Sequence, residues 1–128
     1  MIVDTSAIVA VFFREPGFEE ILAQLTSAEA VGAGAPTLTE TAIVLTARLG
    51  KDAGGLLERF LQEFAIEAVP FGEEHWRVAH DAYRRFGKGR HRARLNFGGC
   101  LTYATAALAQ EPLLCVGEDF GKTDLRLA

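Results

Sequence analysis

MIVDTSAIVAVFF, residues 1–13, is the stretch that decides the fold. Its first three residues are apolar and end at Asp4, which predicts a short buried strand. Residues 6–13 then predict a helix, which the pair Pro16-Gly17 ends. A buried strand that runs directly into a helix is typical of parallel sheets covered by helices.

The rest of the chain repeats this alternation. The apolar spacing predicts helices over 18–27, 36–50, 52–65, 73–87 and 96–110, and strands over 29–35, 66–70, 112–116 and 125–128. The strand PLLCV at 112–116 is apolar without alternation, so both of its faces should be buried. We therefore expect a single α/β domain over residues 1–128, with helices on both faces of a central, mostly parallel sheet of four to five strands.

Apolar spacing predicts a buried stripe on four of these helices. In the helix over 18–27 it is Phe18, Ile21, Leu22 and Leu25, and in the helix over 52–65 it is Leu57, Phe60, Leu61 and Phe64. In the helix over 36–50 the stripe is Leu38, Ala42, Leu45 and Leu49, and in the helix over 73–87 it is Trp76, Ala79, Tyr83 and Phe86.

Composition indicates an ordinary globular protein. Apolar residues make up 49% of the chain and charged residues 23%, which argues against disorder. No apolar run reaches the roughly 18 residues that span a bilayer, and the first residues lack the basic region of a signal peptide. Cys100 and Cys115 lie in apolar surroundings and are expected to be reduced core residues. Together these features predict a cytoplasmic protein with no membrane partner.

The net charge of −4 hides a strong asymmetry. Residues 84–94, RRFGKGRHRAR, contain six of the 13 Lys and Arg residues and no acid, which leaves seven basic residues against 17 acidic ones elsewhere. An acidic body with one basic segment indicates a polyanionic partner. We expect the segment to be an exposed, mobile loop that contacts an RNA backbone, although a solvated charge run is the alternative. The candidate RNA contacts are Arg84, Arg85, Lys88, Arg90, His91, Arg92 and Arg94.

Acidic residues are expected to meet at one edge of the sheet. Asp4 follows the first strand, Asp119 and Asp124 follow the strand over 112–116, and Glu40 lies early in the helix over 36–50. In an open parallel sheet, ligands bind outside the carboxyl ends of the strands. Converging carboxylates repel one another unless a cation joins them, and oxygen ligands without His or Cys suit Mg²⁺ or Mn²⁺.

Each of these acids also has a purely structural explanation. Asp4 could cap the helix that follows it, and Glu40 could close a capping box with Thr37. Asp119 and Asp124 lie in a Gly-containing turn, where Asp is common. The occurrence of all four acids at one edge of the sheet favours a binding site, because acids that only cap helices or form turns need not fall at the same edge.

Four segments resemble PIN-domain toxins of the VapC type. They are MIVDTSAIVAVFFREP, TLTETAIVL, FGKGRHRARLNFGGC and EPLLCVGEDFGKTDLRLA, which occur in the family's order from residue 1 to the C-terminus. The resemblance implies a three-layer α/β/α PIN-like fold and a Mg²⁺- or Mn²⁺-dependent endoribonuclease that cuts structured RNA, either transfer or ribosomal. It also implies a homodimer that is silenced by a cognate VapB-like antitoxin, through which alone it would contact operator DNA.

Carried onto this chain, the resemblance makes Asp4, Glu40 and Asp119 the catalytic and metal-binding acids, with Asp124 a weaker metal ligand. Thr5, Ser6 and Thr123 would supply neighbouring hydroxyls. In the intact family the bound metal activates the water that attacks the phosphodiester.

One position departs from the family's pattern. Where the family reads Leu-Asn-Phe-Gly-Asp-Cys, with the Asp a metal ligand, this chain has Gly99. We interpret this as an introduced inactivating change, with natural degeneration as the alternative, and in either case expect weak nuclease activity. A second hypothesis is a catalytically inactive module that only binds the antitoxin. A phosphatase or nucleotide-binding domain is disfavoured, because no glycine-rich phosphate loop follows the first strand.

Overall fold

A computed structural model describes residues 1–128 as a four-stranded sheet between two layers of helices. The strands are β1 (Ile2–Val3), β2 (Val31–Gly34), β3 (Ile66–Val69) and β4 (Leu113–Leu114). The helices are α1 (Thr5–Phe12), α2 (Phe18–Ser27), α3 (Ala35–Leu49), α4 (Gly54–Glu63), α5 (Glu73–Phe86) and α6 (Phe97–Ala109). A turn of 3-10 helix follows β4 at Phe120–Lys122.

All four strands are parallel, in the order β3-β2-β1-β4. Ile2 is paired with Gly32 on one side and with Leu113 on the other, so β1 lies in the middle of the sheet. The predicted strand over 125–128 is reduced to a parallel bridge between Leu113 and Leu127. The prediction of a parallel sheet of four to five strands is confirmed.

Alternate residues of the short strands enter two separate cores. Val3 and Leu114 pack with α1 to α4 on one face, whereas Ile2 and Leu113 pack with α5 and α6 on the other. Successive side chains of a strand point to opposite faces, so a strand buried on both sides has to be apolar throughout. This explains why β1 and β4 lack alternation, and the two cores confirm the three-layer α/β/α arrangement.

The predicted stripes of α3 and α5 are wrong in part. On α3 the buried residues are Thr37, Thr41 and Leu45. On α5 they are Ala79, Ala82 and Phe86, and the predicted core residues Leu49, Trp76 and Tyr83 are exposed. Compared with the prediction, both helices are rotated about their axes so that small or hydroxyl-bearing side chains face the core. This allows the helices to lie close to their neighbours.

The basic segment folds into a turn that packs on α5 and α6. After α5 the backbone N–H of Lys88 donates to Leu95 O at 2.9 Å and that of Leu95 donates to Phe86 O at 2.9 Å. Ala93 and Leu95 are buried in the same core as α5 and α6. The segment forms a compact, hydrogen-bonded turn, which we call the basic turn (residues 87–95), and its mobility stays a prediction.

None of the helices combines the length and the apolar character needed to cross a membrane.

Candidate active site

A cleft of about 510 Å³ opens at the carboxyl edge of the sheet, where β1 and β4 end. Its wall includes Asp4 directly after β1, Asp119 in the turn after β4, Glu40 on α3 and Gly99 on α6. Three of the four acids that the sequence placed at this edge thus line one cleft, because the carboxyl ends of parallel strands meet there.

The Asp4 carboxylate is buried, and both of its oxygens accept hydrogen bonds. Oδ2 accepts from the Ser6 backbone N–H at 3.0 Å and from the Ser6 hydroxyl at 2.6 Å, and Oδ1 accepts from Thr102 Oγ1 at 2.8 Å. Asp4 is the N-cap of α1, so its structural explanation is correct. Capping and a place in the cleft are compatible, because the cap holds the carboxylate in one orientation at the cleft wall.

Ser6 connects the carboxyl ends of β1 and β4. Its hydroxyl donates to Asp4 and accepts from the backbone N–H of Val116 at 3.0 Å. The hydroxyl predicted to neighbour the acids therefore lies in the cleft wall and couples β1 to the turn that carries Asp119.

Glu40 is held by Thr5. Thr5 Oγ1 donates to Glu40 Oε1 at 2.9 Å and lies 2.9 Å from Thr41 Oγ1. The predicted capping box of Thr37 and Glu40 is wrong, because α3 begins at Ala35 and Glu40 lies beyond its first turn. Glu40 lines the cleft instead.

The sequence did not indicate the part that three buried threonines play beside the cleft. Thr102 donates to Asp4, Thr37 Oγ1 lies 3.1 Å from Thr102 Oγ1, and Thr41 Oγ1 donates to Thr37 O at 2.7 Å. Every buried side-chain oxygen and nitrogen has a hydrogen-bond partner. The sequence feature that could have revealed two of them is the i, i+4 spacing of Thr37 and Thr41, which places both on one face of α3.

The cleft is negatively charged and has no internal counterion. No Lys or Arg side chain forms an ion pair with Asp4, Glu40 or Asp119. Burial, and then the negative charge of Asp4, raise the pKa of the neighbouring Cys115 thiol to about 11. Cys115 is therefore a neutral thiol at physiological pH and not a nucleophile.

Comparison with known proteins decides the family. A family model described as PIN domain matches residues 1–125. Ribonuclease VapC36 of Mycobacterium tuberculosis is 49% identical over 126 residues, which cover 98% of this chain and 91% of the relative. The chain belongs to the PIN domain family. Its relatives at this level of identity are VapC ribonucleases, so the enzyme class that the resemblance implied is confirmed.

Solved structures agree with the fold of this PIN domain. The crystal structure of Mycobacterium tuberculosis VapC20, a sarcin-ricin loop cleaving toxin, has a TM-score of 0.76 at 17% identity and covers 99% of this chain and 97% of its own. VapBC2 from Rickettsia felis, bound to a DNA fragment from its promoter, has a TM-score of 0.72 at 13% identity and covers 99% and 96%.

Gly99 is the point where this PIN domain departs from the family motif. It is the third residue of α6, and its backbone N–H donates to Oδ1 of the N-cap Asn96 at 2.8 Å. A Cβ atom built there would lie 3.2 Å from Asn96 Oδ1 and 3.4 Å from Leu95 Cδ2. The site can therefore take a side chain after a shift of a few tenths of an ångström, and no backbone strain requires glycine.

The acids present do not form a complete metal site. No three His, Cys, Asp or Glu side chains lie close enough together to hold an ion. The carboxylate oxygens have the right chemistry for Mg²⁺ or Mn²⁺, but the acid that the family motif places at position 99 is replaced by hydrogen. We therefore assign no catalytic step through a metal to the chain as it stands.

Asp124 does not reach the cleft. Its Oδ1 accepts from the Tyr103 hydroxyl at 2.6 Å and its Oδ2 accepts from Arg85 Nη2 at 2.9 Å, on the far side of α6. The prediction of Asp124 as a metal ligand is corrected, because these bonds tie the C-terminal segment to α5 and α6. Thr123 is likewise structural, since its Oγ1 donates to Phe120 O at 2.6 Å within the turn.

Two predicted RNA contacts have structural partners. Arg85 pairs with Asp124, and His91 Nδ1 accepts from the Ala93 backbone N–H at 3.0 Å while its ring packs edge-on against Phe86. Arg84 is exposed and lies 3.7 Å from Asp81, a loose pair. Lys88, Arg90, Arg92 and Arg94 are exposed and form no ion pair.

Proposed function

We propose that this chain is the toxin of a type II toxin–antitoxin pair, an endoribonuclease whose activity Gly99 reduces. One observation carries the proposal: the cleft that contains Asp4, Glu40 and Asp119 also contains Gly99, at the position where the family motif has an acid. The change removes one carboxylate and leaves its surroundings intact, which supports the loss of a ligand and not of the fold.

In the proposed enzyme, Asp4, Asp119 and an acid at position 99 would hold the divalent ion, with Glu40 beside them. The ion, when bound, supplies an activated water and neutralises charge on the phosphate. The chain's own contribution is positioning: Ser6 and Thr102 fix Asp4, and Thr5 fixes Glu40.

The proposed substrate is structured RNA, either transfer or ribosomal. VapC20, which shares the fold, is described as cleaving the sarcin-ricin loop. In this chain the support comes from the four unpaired cations of the basic turn, which would draw a polyanion towards an acidic cleft. They contact phosphates without reading sequence, so they do not discriminate between RNA targets.

The proposed partners are a cognate VapB-like antitoxin, operator DNA through that antitoxin, and a second copy of the chain, in the cytoplasm. The VapBC2 assembly on promoter DNA shares this fold and supports the first two.

The decisive experiment compares Gly99→Asp with the present chain. We expect Mn²⁺ binding by calorimetry and EDTA-sensitive cleavage of bulk transfer or ribosomal RNA only in Gly99→Asp. Gly99→Asn, which has the same shape without the charge, should do neither. Gly55→Asp is the charge control, since Gly55 is the second residue of α4 and has open space around it. If Gly99→Asp binds Mn²⁺ and still leaves every RNA intact, the ribonuclease proposal fails.

The second candidate is an inactive module that only binds the antitoxin. It is favoured by the absence of any three side chains placed to hold a metal. Tight antitoxin binding by both the present chain and Gly99→Asp, with no cleavage by either, would select it.

A further inference from the structure

Helix α6 carries one threonine whose hydroxyl reaches outside its own helix. A threonine within a helix can satisfy its hydroxyl on the carbonyl four residues earlier. Thr39, Thr41 and Thr105 do so, at 3.2, 2.7 and 3.0 Å. Thr102 instead donates to Oδ1 of Asp4 at 2.8 Å, so its hydroxyl serves the buried carboxylate and not the helix that carries it.

The Thr102 hydroxyl is itself held by a second buried hydroxyl. Its oxygen lies 3.1 Å from Thr37 Oγ1 on α3, and the two residues are only 1% and 3% exposed. An ionised carboxylate can only accept hydrogen bonds, so the single hydroxyl proton of Thr102 goes to Asp4 and Thr102 accepts from Thr37. The carboxylate therefore fixes the direction of both hydrogen bonds, from Thr37 to Thr102 and from Thr102 to Asp4.

A count of lone pairs shows which oxygen of Asp4 is left open. A carboxylate has about four lone-pair positions, shared between its two oxygens. Ser6 occupies Oδ2 twice, through its backbone N–H and its hydroxyl, whereas Oδ1 accepts from Thr102 alone. The free position is therefore on the oxygen that Thr102 holds.

Thr102 also lies close to position 99 around the helix. The two are three residues apart on α6, which places them about 60° apart around its axis. One helix thus presents both the hydroxyl that holds Asp4 and the position where the family motif has an acid.

We propose that Thr102 and Thr37 are positioning residues for Asp4 Oδ1, the oxygen left open to a divalent ion. Thr102 acts directly, and Thr37 acts only through Thr102, because its side chain forms no hydrogen bond with an acid of the cleft. The proposal rests on the metal-dependent function proposed above and adds the two hydroxyls that hold one of its ligands. Hydrogen-bond partners behind a metal ligand fix its orientation, and their loss lowers metal affinity about 10- to 100-fold.

The first test is Mn²⁺ affinity, measured by calorimetry in the Gly99→Asp background. Thr102→Val keeps the shape of the side chain without the hydroxyl and should weaken binding about tenfold or more. Thr102→Ser restores the hydroxyl and should return to within about threefold of Gly99→Asp. Thr37→Val should weaken binding about threefold by itself and cause no further loss beside Thr102→Val, since the bond that it removes is already gone.

Thr105→Val is the matched control. Thr105 lies on the same helix and is also 1% exposed, but its hydroxyl donates to Leu101 O and to no acid. The substitution should lower stability and leave the Mn²⁺ affinity unchanged. An equal loss of affinity in Thr105→Val and Thr102→Val, or no loss in Thr102→Val, would overturn the positioning role.

The second test needs no metal and uses urea unfolding of the present chain. Thr37→Val should raise the unfolding equilibrium constant about fivefold in the parent and in Thr105→Val. In Thr102→Val it should have no effect or a stabilising one, because the Thr37 hydroxyl has lost its acceptor there. An equal effect of Thr37→Val in all three backgrounds would overturn its action through Thr102.

The two tests separate this proposal from the function on which it rests. If Gly99→Asp binds Mn²⁺ and Thr102→Val binds it equally well, the positioning role fails and the metal site stands. If Gly99→Asp binds no Mn²⁺, the metal-dependent function fails and the positioning role fails with it, whereas the unfolding cycle still decides whether Thr37 acts through Thr102.

Discussion

Gly98 decides where the Glu40 carboxylate can lie. A Cβ atom at Gly98 would come within 2.8 Å of Glu40 Oε2 and 3.1 Å of Oε1. No backbone strain requires glycine there, because its φ is not positive. The absence of a side chain is what allows the carboxylate to rest against the start of α6 while Thr5 donates to it.

We predict that Gly98→Ala, made in the Gly99→Asp background, lowers RNA cleavage about tenfold. The methyl group must displace the Glu40 carboxylate and break its 2.9 Å bond with Thr5. Unfolding free energy should change by less than about 1 kcal/mol, because the better helix propensity of alanine offsets the lost hydrogen bond. Cleavage rates and urea unfolding measure the two effects.

A double-variant cycle identifies the cause. In a Glu40→Ala background the Gly98→Ala change should have no further effect on cleavage, since the group that it displaces is gone. A tenfold loss in both backgrounds would show that Gly98 acts on something other than Glu40.

At the scale of single residues, the sequence predicted the acids of the cleft better than the side chains that hold those acids in place. Asp4 and Asp119 were found because each follows an apolar strand, and strand ends are readable from sequence. Thr37 and Thr102 were missed because their importance depends on the rotation of α3 and α6, which packing sets. Asp124 was misplaced because a turn of a few residues can aim a side chain in any direction.

At the scale of elements, the C-terminal segment is held by one polar cluster on α5 and α6. Tyr103 on α6 donates to Asp124, and Arg85 on α5 donates to the other oxygen of the same carboxylate. Burial, together with the hydrogen bond to Asp124, raises the pKa of Tyr103 to about 12. Burial opposes ionisation of Asp124, but the bonds from Tyr103 and Arg85 outweigh it and lower the pKa of that carboxyl.

We predict that Tyr103→Phe lowers the unfolding free energy at neutral pH by about 1–2 kcal/mol, since it removes a hydrogen bond to a charged acceptor. The raised pKa means that the folded state favours the neutral phenol, so this contribution is complete below the usual tyrosine pKa near 10 and is lost as the pH rises towards 12. The stability gap between parent and Tyr103→Phe should therefore narrow over that range.

Urea unfolding of both proteins from neutral pH to pH 12 measures the gap. Asp124→Asn tests the effect at acidic pH. Because the pKa of Asp124 is lowered in the folded state, the ionised carboxylate stabilises that state at pH values above the unfolded-state pKa near 4. This stabilisation is lost as the pH falls through the lower pKa of the folded state. If the difference in unfolding free energy between the parent and either variant does not change with pH, the substituted residue does not stabilise the fold through its ionisation.

The elements themselves were predictable, whereas the faces they bury were not. The order and the approximate bounds of all six helices and the first four strands follow from apolar spacing, Gly50 and the Pro16-Gly17 pair. The wrong residues in the stripes of α3 and α5 are large apolar side chains that a sequence pattern assigns to a core. Trp76 and Tyr83 are instead exposed, because apolar character alone does not show which side chains a helix buries.

At the scale of the whole molecule, the charge is arranged as the sequence suggested, but fewer cations are free than it counted. Arg85 is neutralised by Asp124, and Arg84 lies near Asp81. That leaves Lys88, Arg90, Arg92 and Arg94 as the cations of the basic turn that are available to a polyanion. Since each phosphate that they neutralise releases counterions, the number of free cations is measurable as a salt dependence.

We predict that the affinity for structured RNA falls with salt with a logarithmic slope of about −3 to −4, from four contacts at roughly 0.7 to 0.9 each. Arg92→Gln should reduce the slope by about 0.7 to 0.9, because Arg92 is exposed and unpaired. Arg85→Gln is the matched control: it removes the same charge from the same segment, but a cation already paired with Asp124 releases no counterions, so the slope should stay at the parent value. Fluorescence anisotropy in EDTA measures all three without cleavage. Equal slopes for parent and Arg92→Gln would place the RNA elsewhere on the molecule, whereas a reduced slope for Arg85→Gln would mean that RNA displaces Asp124 and frees the C-terminal segment on binding.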